Sequence, residues 1–420
     1  MNDVPLNSRL LVVFSLGFFS GLPLALLTAS LQAWFADVGC SLLTIGTLAL
    51  VIFPHSYRFL WAPLLDRYAL LGLGRRRGWI LVMQVALMLG FNLMALLSPQ
   101  SAGSWMMLLA TLLAIFSATH DAAVDAHRTE YLPLHAHAMG VSLYVFGYRL
   151  ALLVGGGVTL IIAVHWGWAV AYGLMGSLMG LGALVTLSSQ EPDVVYHASA
   201  QPSLMASFLI PIRQLLIRPR IGLLLAFIVF YKLAEAFTAT TSGVVMPFLI
   251  QGLGFSLDVI AYVNKIAGVV STILGSMLAG LILMRWSLYR ALMLFGLLQA
   301  SSCMLFIALA IVGKNLPLLF LAVVCENFAA GMSSVAMITL LMRVVDVHYT
   351  ATQYSMLVAF STLPRTFSGL MAAVVQVQVG WVGCYALAFV VMLLFVPLLM
   401  MMASSKKNKH PEGFVAMLMR

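Results

Sequence analysis

Charge is what this chain has little of. Only 8% of its 420 residues are Asp, Glu, Lys or Arg, against about 25% in soluble domains. That deficit excludes a water-soluble surface, and with 62% hydrophobic residues and a mean hydropathy of +1.04 it marks a polytopic membrane protein. Cysteine is sparse as well. Cys40, Cys303, Cys325 and Cys384 stand far apart without a CxxC spacing, which argues against a disulfide framework or a cysteine zinc site. No P-loop, HExxH or Ser-His-Asp pattern is present, so an enzyme is not expected. Gly72-x-Gly74 before Arg75 has no strand ahead of it and reads as a plain loop. The net charge of +9 does not point to nucleic acid here, because the position of the charges outweighs their sum.

What is abundant is apolar sequence in runs of about 20 residues, the length that crosses a bilayer. Twelve spans are expected, at about 10–35, 42–65, 78–98, 104–127, 138–163, 168–188, 221–250, 257–284, 289–312, 316–342, 353–375 and 380–403. The first is long enough to span and lacks an A-x-A site, so a cleaved signal peptide is not expected. Basic residues test the map. Of the 22 Lys and Arg, sixteen fall on one side, Lys314 falls on the other, and Arg58, Arg149, Lys232, Lys265 and Arg365 lie within spans. The positive-inside rule then places both termini in the cytoplasm. Trp34, Trp105, Trp166, Trp168 and Trp381 fall near the outer boundary, as an interfacial belt does.

The longest connection, 189–220, holds Pro192, Pro202, Pro211 and Pro219. It divides the chain into a six-helix bundle at 1–188, a cytoplasmic linker at 189–220, a second six-helix bundle at 221–403 and a cytoplasmic tail at 404–420. The expected fold is all-α, with two bundles in a pseudo-twofold arrangement, as parallel repeats in transporters have. Arg149 in helix five and Arg365 in helix eleven, six helices on, echo each other.

The stretch Thr119–Pro133, THDAAVDAHRTEYLP, closes the fourth apolar run. Asp121 and Asp125 are one helical turn apart and share a face. An intramembrane carboxylate needs a partner or a watery cavity, and by default marks a functional site. Apart from Arg58 near the inner boundary, the other buried charges are Arg149, Lys232, Glu235, Lys265, Glu326 and Arg365. Drawn from both halves, they suit a central transport cavity. Asp121 lies twelve residues before the turn at Pro133 and Arg149 sixteen after it. At ~1.5 Å per residue their depths differ by roughly 6 Å, which predicts an Asp121–Arg149 contact in at least one conformation. Asp125, nearer the cytoplasm, is expected to meet Arg128 or Arg67. Asp121, Asp125, Glu235 and Glu326 are the candidate proton-coupling groups. Arg149, Lys232, Lys265 and Arg365, with Tyr148, Tyr231 and Asn264, are the candidate substrate-binding groups, Arg being suited to carboxylates. Gly17, Gly21, Pro23 and Gly155-Gly156-Gly157 suggest close helix approach or bending. His120, His127, His135 and His137 cluster in sequence, but the last two fall in a solvated loop and no metal is expected.

Leu65-Asp66-Arg67-Tyr68 followed by Gly74-Arg75-Arg76-Arg77-Gly78 resembles the loop that marks the major facilitator superfamily, although Trp61-Ala62-Pro63 stands where an upstream glycine is usual. More narrowly, the chain resembles the AmpG muropeptide permeases. The matching stretches are SGLPLAL at 20–26, LQAW at 31–34, FLWAPLLDRY at 59–68, GRRRGW at 74–79, GYRL at 147–150, YKL at 231–233, NK at 264–265, EN at 326–327 with Gly331-Met332, and ATQ at 351–353. The resemblance implies a major facilitator fold in the lipid bilayer of the bacterial inner membrane; no cofactor is expected, and a monomer is. It implies proton-driven import of GlcNAc-1,6-anhydro-MurNAc peptides for peptidoglycan recycling, and indirectly β-lactamase induction. It also implies transport roles for Asp121 and Asp125, and gate roles for Asp66, Arg67 and Arg75. His120, His127 and Arg128 stand where the family commonly has Gln, Trp and Lys. Two other functions fit the same residues less closely: transport of another amphipathic anionic solute, such as an acyl-CoA-like molecule or a siderophore, and a membrane sensor that transports nothing.

Overall fold

The structure, a computed structural model, describes residues 5–192, 203–239 and 244–403. The expected tail at 404–420 and residues 193–202 of the expected linker lie outside them, as do the side chains of Asn264 and Lys265. All regular structure among the described residues is helical. Among the described residues, ten stretches are long and apolar enough to cross a membrane. By packing, the chain divides into two compact units, 1–214 with 345–356, and 215–344 with 357–420.

In the first unit, α1 (Leu6–Asp37) carries a wide turn at Leu26–Ser30, just after Pro23. Proline lacks the N–H that would close the preceding turn, so the helix relaxes around it. The expected span at 42–65 is shorter and irregular. It becomes α2 (Leu43–Leu60), tightened at Leu48–Ile52, and a separate turn α3 (Ala62–Arg67), with Pro54 and Pro63 at the starts of its segments. Next come α4 (Arg77–Ala95) and α5 (Pro99–Tyr131). Pro99 opens α5, where a missing N–H costs nothing. Leu132, held extended at ψ 138° by the following Pro133, ends it. The hairpin returns as α6 (Leu134–Trp166), and Gly167, at φ 85°, turns the chain into α7 (Trp168–Ser188). The proline-rich connection contains α8 (Leu204–Leu216).

Helices α1 and α6 touch backbone to backbone. A Cβ on Gly17 would collide with the backbone of Tyr144, and one on Gly147 with that of Phe14. Small residues allow such approach, which replaces the hydrophobic drive that lipid removes. Gly155 also serves this contact, and its carbonyl accepts a bond from Ser30 Oγ at 2.5 Å, whereas Gly156 and Gly157 face open space. One apolar core of the unit gathers Leu26, Trp34, Phe35, Leu87, Phe91, Leu113 and Tyr172. There Trp34 stacks on Trp168 at 5.6 Å, and Trp168 Nε1 donates to Asp37 at 2.8 Å.

In the second unit, α9 (Ile221–Thr238) ends well short of the expected residue 250, and the chain continues through turns at Val245–Pro247 and Phe248–Gly252. The expected span at 257–284 is divided, with Leu257–Tyr262 and a wide turn at Val263–Gly268 leading into α10 (Val269–Leu283). Then follow α11 (Leu288–Val312), α12 (Leu316–Val344), α13 (Thr350–Met392) and α14 (Phe395–Ala403). The apolar run from Thr350 to Ala403 has 54 residues. At ~1.5 Å per residue it is more than twice a ~30 Å hydrocarbon layer, and Gly380, at φ 69°, breaks it. Gly275 and Gly331 bring α10 against the backbone of α12.

The α1–α6 contact makes a direct test. Gly147→Leu would push side-chain atoms into the Phe14 carbonyl, and a loss of about 1–3 kcal/mol or more is expected for such overpacking. Thermal unfolding of the detergent-purified variant measures it, with Gly156→Leu, which faces open space, as the control expected to unfold like the parent.

Candidate functional site

The inner half of α5 is where charge enters the first unit. Its face is built from Ala118, Ala122, Ala123 and Ala126, whose small side chains let neighbouring helices close in, and every residue from Ser117 to Thr129 is buried. Asp121 and Asp125 lie in that stretch at 7% and 6% exposure. Both carboxylates are therefore out of water, and what faces each decides its chemistry.

Asp125 is clamped by two guanidiniums. Arg58 Nη2 of α2 lies 2.6 Å from Oδ2, and Arg128 Nη2, one turn on, lies 2.9 Å from Oδ1. Arg128 also stacks over the Tyr144 ring at 4.1 Å and donates to Tyr354 Oη at 3.0 Å. The Asp125–Arg128 contact agrees with the spacing. Arg67 instead donates to Ser207 Oγ at 2.7 Å. Arg58 is the partner that a one-dimensional depth reading placed at the boundary and set aside.

Asp121 has a different environment. His55 Nε2 of α2 lies 3.8 Å from Oδ2, and His120 Nδ1 lies 3.8 Å from Oδ1. Ser117 Oγ is 3.2 Å from His55 Nε2, and Ser20 Oγ of α1 is 3.5 Å from His120 Nδ1. No guanidinium or ammonium among the described residues pairs with Asp121. The expected Asp121–Arg149 contact is not formed here, and half-buried Arg149 lies beside Tyr148 on α6. The depth arithmetic fixes height along the helices but not rotation about them, so it could not choose Arg149 over an imidazole.

A second charged cluster sits at the loop after α3. The fully buried Arg76 side chain pairs with Asp66 Oδ1 at 2.8 Å and Glu130 Oε1 at 2.6 Å, and donates to the Leu65 carbonyl at 3.1 Å. Burial alone would lower the affinity of Arg76 for its proton, but Glu130 and Asp66 outweigh it, and the balance is upward. Asp66 also caps the start of α13. Its Oδ1 accepts from Ala351 N at 3.1 Å, and its Oδ2 from Thr352 N at 2.8 Å and Thr352 Oγ1 at 2.6 Å. The first amides of a helix lack internal partners and favour an anion. Arg75 donates to the Asp66 carbonyl at 3.2 Å. Glu191 accepts from the amides of Arg76 and Arg77 at 2.8 and 2.9 Å, capping α4. Arg76 and Glu130 were missed from sequence. Three consecutive arginines announce a need for acid without saying which arginine turns inward, and Glu130, three residues before Pro133, reads as a solvated helix end.

The second unit holds its own set. Lys232 Nζ pairs with Glu235 Oε2 at 2.5 Å, one turn apart on α9. Tyr231 packs edge-on against Phe395, and its hydroxyl is buried without a hydrogen-bond partner. Glu326, 1% exposed on α12, receives Gln299 Nε2 at 3.5 Å. Arg365 lies exposed on α13. No group of three or more His, Cys, Asp and Glu side chains among the described residues could hold a metal ion.

The buried arginine of the loop cluster yields a stability prediction. Arg76→Met would strand two buried carboxylates and is expected to cost about 3–5 kcal/mol. Arg75→Met, which leaves Asp66 and Glu130 paired with Arg76, is expected to cost less than the Arg76 substitution. Denaturation in detergent, monitored by intrinsic fluorescence, compares the two.

Comparison with known proteins agrees with this architecture. The model of the Major Facilitator Superfamily matches residues 13–366. The anhydromuropeptide permease of Escherichia coli is 38% identical over 379 residues, which are 90% of this chain and 76% of that protein. A putative transporter AmpG 4 of Rickettsia felis is 26% identical, covering 95% of this chain and 97% of that protein. A crystal structure of the Escherichia coli fucose:proton symporter FucP matches with a TM-score of 0.71 at 14% identity, over 93% of this chain and 98% of that one, which is a likeness of fold. The family model spans most of an all-helical, multi-pass chain, and the 38% identity to a permease adds the finer assignment: the chain belongs to the Major Facilitator Superfamily, among its AmpG-like permeases.

Proposed function

We propose that the chain imports anhydromuropeptides, GlcNAc-1,6-anhydro-MurNAc peptides, from periplasm to cytoplasm by proton-coupled alternating access, serving peptidoglycan recycling. The identity to the Escherichia coli anhydromuropeptide permease supports the substrate. The single observation that carries the coupling is the buried Asp121, which among the described residues has no permanent cation within ion-pair distance. A carboxylate in such surroundings binds a proton when its neighbours retreat and releases it when they return.

In this reading twelve crossings form two six-helix bundles in a pseudo-twofold arrangement, with both termini in the cytoplasm of a bacterial inner-membrane monomer. Asp121 carries the coupling proton, aided in the second unit by Glu235 and Glu326. Asp125, neutralised by Arg58 and Arg128, holds the cytoplasmic ends of α2, α5 and the Tyr354 segment together. Asp66, with Arg67, Arg75 and Arg76, forms a cytoplasmic gate. Release of Ala351 and Thr352 by Asp66 opens it. Arg149, Lys232, Lys265 and Arg365 offer cations to the peptide carboxylates, and Tyr148, Tyr231 and Asn264 offer hydrogen bonds to the disaccharide.

Uptake of radiolabelled anhydromuropeptide into right-side-out vesicles tests the reading. Uptake is expected to rise as the outside is acidified and to collapse with a protonophore, while Asp121→Asn is expected to lose the response to a pH gradient. Absence of specific uptake by the parent protein would sink the substrate assignment. An Asp121→Asn variant that still answered a pH gradient normally would sink the coupling role.

A further inference from the structure

The coupling group proposed above is a lone carboxylate in name only. Each oxygen of Asp121 faces its own imidazole, Oδ2 toward His55 Nε2 and Oδ1 toward His120 Nδ1, both at 3.8 Å. That exceeds a hydrogen bond but lies within the range where a charge on one group alters the proton affinity of the next. Asp121 Oδ1 and His120 Nε2 are buried with no hydrogen-bond partner. Ser117 and Ser20 stand beside the facing ring nitrogens at 3.2 and 3.5 Å. A hydroxyl donates to a bare ring nitrogen and accepts from a protonated one, so these two serines tolerate both states.

Charge counting sharpens the picture. The groups facing this cluster are Arg58 on α2, Asp125 and Arg128 on α5, Tyr144, Tyr148 and Arg149 on α6, and Tyr354 of the 345–356 segment. Arg58 and Arg128 are both committed to Asp125. With both imidazoles neutral, the three arginines Arg58, Arg128 and Arg149 stand against the two carboxylates of Asp125 and Asp121, a balance of +1. A further proton then adds the one variable charge in the cluster.

We infer that Asp121, His55 and His120 form a single proton-binding unit, in which the imidazoles share the transported proton with the carboxylate. The inference rests on the proton-coupled reading above. Strongly interacting sites titrate as a group, with apparent midpoints that belong to none of them alone. An imidazole beside the carboxylate gives the proton a second group on which to reside. The members come from α2 and α5, with Ser20 from α1, so a shift of α2 against α5 changes the proton affinity of the whole unit.

The test uses the full chain in proteoliposomes, with labelled anhydromuropeptide outside and a pH-sensitive dye inside. For the His55→Asn/His120→Gln double variant, the midpoint of the uptake–pH profile, normalised to its own maximum, is expected to move by about one pH unit or more, because removing two interacting proton sites changes the apparent midpoint of the third. A double variant whose profile and substrate-driven proton influx superimpose on the parent's overturns the inference, leaving the proton on Asp121 alone. Should the double variant fail to fold, His120→Gln alone is read in the same way. Absence of muropeptide counterflow by the parent protein would end the import reading instead. Infrared titration of the Asp121 carboxyl band in detergent-purified protein then decides the proton unit without substrate. A band midpoint displaced by the histidine substitutions supports it, and an unmoved midpoint refutes it.

Discussion

The constraint on which the first unit depends is the neutralisation of carboxylates that have left water. An aspartate at the centre of a membrane helix costs about 2.5–3.5 kcal/mol on insertion scales, and α5 carries two of them one turn apart. Asp125 is relieved by two guanidiniums at 2.6 and 2.9 Å. Those guanidiniums come from different places, Arg58 from α2 and Arg128 from α5 itself, and Arg128 reaches on to Tyr144 and Tyr354. One carboxylate thereby draws α2, α5, α6 and the 345–356 segment onto a common point. Asp121, one turn away, is faced among the described residues by the imidazoles of His55 and His120. The same residue type at the same burial meets two guanidiniums in one position and two imidazoles in the other.

The loop cluster repeats the logic with signs reversed. Arg76 is the buried cation and needs two acids, Asp66 and Glu130. Asp66 has acceptor capacity left over, and spends it on the first amides of α13. Asp66 is thus shared between a guanidinium and a helix N-terminus, while Arg76 has Glu130 as a second acid. This is the physical support for reading the loop as a gate. The glycine contacts of α1 with α6 and of α10 with α12 have no such spare capacity.

Much of this was legible in the residues. Hydropathy and the one-sided distribution of Lys and Arg yield the membrane class and the approximate crossings, because both depend on local composition alone. Asp121 and Asp125 stand out for the same reason, as charges in an apolar run. The i,i+3 pairs, Lys232 with Glu235 and Asp125 with Arg128, follow from helix periodicity. Irregularity was harder to see. The tightening within α2, the early end of α9 and the wide turn before α10 are local departures that a smooth hydropathy profile averages away.

What the sequence by itself determined, then, is that carboxylates would be buried in α5 and that cations would be available to meet them. Only the tertiary structure decided the partners: Arg58 for Asp125, His55 for Asp121, and Arg76 for both Asp66 and Glu130. The reason is geometric. Sequence spacing sets a side chain's depth and its face on its own helix, whereas pairing across helices depends on how each helix is rotated and how closely its neighbour approaches. Those two variables are set by alanine and glycine contacts spread over the whole unit, far from the charges whose partners they choose.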